Sequence, residues 1–163
     1  MAPLYEIWLF EAKPVPEISL PVTWTLALRT LGTNTTNLYT IAGGIRLTDG
    51  PYTHRIMRDI PFSPAFNQTV SPFDKFTPIG TLDEDGFRVF EEIFERTEVG
   101  PNQFFFVRLF GEMAIRGLIG WDVVHEWRGR ARYADREWEM FLGEYTIADR
   151  RFLEMLDQTE LKE

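Results

Sequence analysis

The chain has 163 residues, no cysteine and a formal charge of −8. That length fits one globular domain, residues 1–163, with a sizeable core. The missing cysteine excludes thiol nucleophiles, disulfides and thiolate metal sites. Fourteen phenylalanines help raise the aromatic share to 15%, enough large rings to fill a thick core or line an apolar pocket.

The charge is uneven. Residues 1–80 hold six acids and six bases, whereas residues 81–163 hold nineteen acids against eleven bases and carry the whole −8. An acidic surface repels phosphate backbones, so no nucleic-acid partner is expected. The cluster Arg128, Arg130, Arg132 and Arg136 is too interleaved with acids to reverse that. No basic, apolar leader opens the chain and no apolar run reaches a membrane span. A cytoplasmic protein is the expectation, and the sequons at Asn34 and Asn67 carry little weight.

The N-terminal half, residues 1–80, reads as strands. Leu4–Ala12 is dense in large apolar residues and stops at Pro14 and Pro16. From Thr23 to Leu31 the pattern alternates, with Trp24, Leu26 and Leu28 on one face. Gly32–Thr36 is a turn. Leu38–Leu47 then returns antiparallel, interrupted at Gly43 and Gly44, and Tyr52–Ile60 follows a turn at Asp49–Pro51. Residues 61–80, with four prolines, predict irregular surface or a lid.

From Thr81 the period becomes helical. Thr81-Leu-Asp-Glu84 matches a capping box, with Thr81 as N-cap. Phe87, Phe90, Ile93 and Phe94 form one stripe. Asn102 is the expected N-cap of a second helix, apolar nearly all round from Phe104 to Phe110 and therefore central, and ended by Gly117 and Gly120. A last helical region runs over residues 133–156, with Trp138, Phe141 and Leu142 on its apolar face. Strands first and helices after predict an α+β fold, an antiparallel sheet from the N-terminal half packed against three or four C-terminal helices.

The landmarks Val22-Thr-Trp24-Thr-Leu-Ala-Leu and Pro101-Asn102-Gln103-Phe104-Phe-Phe-Val resemble the permuted papain-like hydrolases of the lecithin:retinol acyltransferase and PPPDE type. Those proteins carry a histidine on an early strand and a nucleophilic cysteine at the start of a buried helix. Here Thr23 stands in place of the histidine and Gln103 or Phe104 in place of the cysteine. The resemblance, over residues 20–120, implies a degenerate fold kept after its hydrolytic chemistry was lost. No catalytic residue carries over from it.

Two histidines remain as acid–base candidates. In Trp121-Asp122-Val-Val-His125-Glu126-Trp127, a helix puts Asp122 and His125 on one face as an oriented pair. A strand instead groups His125 with Val123 and Trp127. The competing structural role is a half-buried imidazole sealing the core edge. In Tyr52-Thr-His54-Arg-Ile-Met-Arg58-Asp59, a strand aligns Tyr52, His54, Ile56 and Arg58, a face able to grip a carbonyl or carboxylate. It is equally the solvent face of an edge strand.

Two histidines on separate elements give no standard zinc set, and Asp83-Glu-Asp85-Gly86 lacks the later acids of a calcium loop. There is no phosphate-binding glycine pattern, so no cofactor is expected.

Two readings from different classes result. The first is a hydrophobic small-molecule site in the sheet–helix cleft, performing cofactor-free isomerisation, cyclisation or elimination. His54 or His125 acts with Asp59, Asp122 or Glu126, while Trp24, Tyr39, Tyr52, Arg58 and Phe104 shape the cavity. The second is a non-catalytic interaction protein, a homodimer or partner subunit, anchored by exposed Trp121, Trp127 or Trp138.

Overall fold

The computed structural model describes residues 4–12, 23–42, 51–61 and 73–131. The expected helix over 133–156 and the Gly43-Gly44 interruption lie outside them. Five strands form one antiparallel sheet: β1 (Tyr5–Ala12), β2 (Trp24–Thr30), β3 (Thr35–Ala42), β4 (Thr53–Pro61) and β5 (Phe73–Leu82). Their order across the sheet is β4-β3-β2-β1-β5, so the two strands latest in sequence form opposite edges. Three helices follow: α1 (Glu84–Arg96), α2 (Asn102–Ile115) and α3 (Trp121–Arg130). The fold is α+β, as the change of periodicity near residue 80 predicts.

Three local expectations are corrected. Residues 73–80 are not irregular. They belong to a ten-residue strand. Pro78 is tolerated there because β5 is an edge strand and Pro78 sits beside a bulge, opposite Trp8. Thr81 does not cap α1, since it is still paired with Glu6 across β1 and β5. Asp83 caps instead, its Oδ1 accepting from the Gly86 amide at 2.7 Å.

Asn102 is likewise inside its helix, with Pro101 at the N-cap. Its side chain reaches the sheet. Oδ1 accepts from the Trp24 amide at 2.6 Å, and Nδ2 donates to the Trp24 carbonyl at 3.0 Å. Thr40 Oγ1 donates to the same carbonyl at 3.1 Å. The register of β2 with β3 runs from Leu26↔Tyr39 to Arg29↔Thr36. One amide side chain therefore fastens α2 to the strand end just beyond that ladder.

All three helices cover one face of the sheet. Alternation turns Ile7, Leu9, Trp24, Leu26, Leu28, Tyr39 and Ile41 toward them, where they meet Phe90, Ile93 and Phe94 of α1, most of α2, and Val124 and Trp127 of α3. Helix α2 buries ten of its fourteen residues, including Phe104, Phe105 and Phe106 in succession. An apolar surface all round requires neighbours on every side, and α2 is indeed the central helix. It ends in a Schellman motif: the Leu118 amide bonds the Met113 carbonyl, and the Gly117 amide bonds that of Ala114. Gly117 takes the left-handed φ of 75° that this cap requires.

Candidate functional site

On the helix side, β4 and α1 bring several predicted residues together. Tyr39, Ile56, His54 and Ile41 are cross-strand partners on one face. Tyr52 and Ile56 are partly buried against the main core. Tyr52, His54 and Ile56 of that face therefore point at the helices, while Arg58 is exposed at its end. His54 is wedged against Phe94 and Phe105, with ring centroids 5.2 and 5.7 Å away. Its Nε2 lies 2.7 Å from the Thr97 carbonyl at the C-cap of α1. An N–H on Nε2 is the tautomer that can donate to that carbonyl.

Tyr39 is fully buried, with its ring edge-on to Phe90 and Phe94. Burial pushes its phenol up to about 12, so it is a neutral hydroxyl at physiological pH. Beside it Arg58 reaches both carboxylate oxygens of Glu91, at 3.0 and 2.6 Å. Those bonds, and the attraction of Glu91, raise the guanidinium above its already high ordinary value. Arg58 and Asp59 together lie opposite Asn37, a bulge in which Asp59 adopts φ 56°. Asn37 Oδ1 accepts from the Asp59 amide at 3.1 Å, satisfying the bulged backbone. This is a fixed network of donors and acceptors, and neither Tyr39 nor Arg58 changes charge near neutrality.

Asp59 is exposed at the bulge, while His54 is held by Thr97 and two phenyl rings. Residues 121–127 are helical, so Asp122 and His125 are three apart on α3. The Asp122 carboxylate lies against Gly120 at the start of α3. Glu126 pairs with Arg130 at 2.8 Å. His125 is half-buried beside Trp121, with ring centroids 6.3 Å apart.

The predicted cavity-shaping rings are packed into the core. Trp24 lies edge-on to Trp127, with centroids 5.3 Å apart, and both are 1% exposed. Phe104 is also 1% exposed. Trp127 is thus corrected from exposed anchor to core, Trp121 is half-buried, and Trp138 lies outside the described residues.

A second group, not anticipated from sequence, lies on the opposite face of the sheet. Phe10, Ala27 and Leu38 are buried there, ringed by the partly buried Trp8, Met57, Ile60, Phe73 and Phe76. Phe10 meets Phe76 edge-on at 4.7 Å and Phe73 at 5.1 Å. Every member comes from the strands; among the described residues no helix residue joins this cluster. Glu6, Arg29 and Thr36 form the next row on the same face, by the register Glu6↔Arg29 and Arg29↔Thr36. The signal was in β1, where residues of both parities are large and apolar. A strand apolar on both sides implies a sheet buried on both sides.

Among the described residues no helix is long and apolar enough to cross a membrane, and no three acidic or histidine side chains cluster as a metal site. The chain matches no protein-family model, and neither curated proteins nor solved structures show a significant similarity to it.

Proposed function

We propose that this chain binds an apolar small molecule on the second face of its sheet and does so without acid–base catalysis. The observation that carries the reading is the apolar cluster around Phe10, Ala27 and Leu38, to which only strands contribute among the described residues, with its partly buried rim of aromatic, aliphatic and thioether side chains. Ala27 fills little space between Trp8 and Leu38, its cross-strand neighbours. Phe10, Ala27 and Leu38 are themselves buried, so the side chains a ligand would meet are the partly buried rim of Trp8, Met57, Ile60, Phe73 and Phe76. A binding rather than an acid–base role is favoured by the helix side, where His54 is held by the Thr97 carbonyl and Glu126 pairs with Arg130. A positioned base needs a group that orients it and a reachable substrate proton.

Titration with a neutral naphthalene probe tests this. Met57→Lys, which puts a charge on the rim, should weaken binding at least tenfold, whereas His54→Gln on the opposite face should leave it within twofold. Equal binding by wild type and a folded Met57→Lys protein would remove the second face from consideration. Turnover of any bound compound that is lost in His54→Gln or His125→Gln would restore the acid–base isomerase, cyclase or lyase reading.

A further inference from the structure

Among the described strands, every register shift falls on an edge strand. The inner ladders, β1 with β2 and β2 with β3, pair without interruption. The shifts lie between β1 and β5, where β5 carries the extra residues Asp74 and Ile79, and between β3 and β4, where Arg58 and Asp59 share Asn37. A sheet edge offers a row of backbone donors and acceptors to any other strand, and bulges, prolines and charges blunt it. On β5, Pro78 has no N–H to offer and Lys75 is exposed. On β4 the one proline, Pro61, is the last residue, so the bulge alone interrupts the strand's interior.

Packing does not require that bulge. Met57 and Ile60 both lie against the cluster on the second face. They are three positions apart, a spacing that a regular strand cannot put on one side. Without Asp59, only Arg58 separates them. Leu38, Asn37 and Thr36 then face Met57, Arg58 and Ile60 in unbroken order, and Arg58 stays on the side of Glu91. The extra residue is also held in an unfavourable conformation. Asp59 has φ 56°, a left-handed backbone that glycine adopts more easily. Its amide donates to Asn37 Oδ1 at 3.1 Å, so an incoming strand does not meet that donor. Thr53, Arg55, Arg58, Asp59 and Pro61 are exposed, and among the described residues no strand lies beyond β4.

We propose that the Asp59 bulge is a guard: it keeps the β4 edge from pairing with a second copy of this chain. The bulge breaks the row of backbone groups after Met57 and increases the local twist, so a second strand cannot stay in register along the whole edge. The guard is the geometry of the extra residue, not its charge.

Sedimentation of the full chain at rising concentration tests this on wild type, a deletion of Asp59, Asp59→Val and Asp59→Gly, with hydrogen exchange to locate any contact. Wild type should show no association that protects the amides of residues 53–61. The deletion makes the ladder continuous, so it should associate as concentration rises and protect those amides. Asp59→Val keeps the length but disfavours the left-handed conformation. It should associate in the same way, more weakly, and it decides the matter if the deletion does not fold. Asp59→Gly removes the charge and keeps the bulge, so it should sediment as wild type does. Association of Asp59→Gly as strong as that of the deletion overturns the geometric guard in favour of charge. A folded deletion that sediments as wild type, or that associates while protecting other amides only, overturns the proposal. So does a wild-type chain that already pairs through residues 53–61.

Discussion

Asn102 is the side chain whose structural work is most concentrated. Its amide occupies the backbone N–H and C=O of Trp24, seventy-eight residues away. Asn102→Ala leaves a buried-strand amide without its acceptor, at about 1–3 kcal/mol; chemical denaturation should report that loss. Asn102→Asp can still accept from the Trp24 amide but no longer donates to the carbonyl, so it should recover only part of it. Tyr39 gives a pH signature. Its phenol titrates near 12 in the folded chain against an ordinary value near 10. Stability is therefore intact below pH 10 and declines as pH rises from 10 to 12, because the unfolded chain releases that proton first. The full effect is on the order of 2–3 kcal/mol. Tyr39→Phe should remove this part of the alkaline decline, measured as the difference between the two pH–stability curves. Sequence reading selected both positions but not their roles. The N-terminal preference of asparagine suggested a cap, and nothing local marks a partner on a strand seventy-eight positions earlier.

The elements were legible where periodicity and local chemistry agreed. The alternation of Trp24, Leu26 and Leu28 set the buried face of β2, and the stripe of Phe90, Ile93 and Phe94 set that of α1. Both failures had one cause. Pro78 argued against a strand, and the Thr81–Glu84 pattern argued for a helix start two residues too early. Long-range pairing with β1 decided both, extending β5 through Leu82. The cap that results is testable: Asp83→Ala should cost about 1 kcal/mol, whereas Thr81→Val, at a strand position, should cost less. At the other end of the helical part, Gly117→Ala forces a Cβ into the left-handed region at φ 75°. Nothing lies within 4 Å of that Cβ, so its cost is conformational alone, about 1 kcal/mol. Thermal unfolding of these three variants separates a cap from a strand contact.

For the whole molecule, the sheet divides two kinds of surface. Its helix-covered face is filled by aromatic packing and by polar side chains with defined partners: His54 on Thr97, Arg58 on Glu91, Asn37 on the bulge. The Trp24–Trp127 contact ties α3 into that core, and Trp127→Ala should cost about 3–5 kcal/mol. The opposite face carries an apolar cluster and polar atoms without hydrogen-bond partners. The α+β fold was readable from the order of periodicities. The two-sided burial was signalled only in β1, where Ile7, Trp8, Leu9 and Phe10 are large and apolar at both parities, and alternation says nothing about what meets each face. Candidate chemistry was sought at histidines, the residues that titrate near neutrality. Buried donor atoms without a hydrogen-bond partner include Trp8 Nε1, Arg29 Nε and Thr36 Oγ1 on the second face and Trp24 Nε1 on the helix-covered one, and none of these residues carries a catalytic signature in sequence. The most direct test of the binding claim is native mass spectrometry of the protein purified from a metabolite-rich host. The account predicts a retained small-molecule mass that persists in His54→Gln and is lost in Met57→Lys. A protein without added mass, or one whose added mass disappears only when His54 is changed, would contradict it.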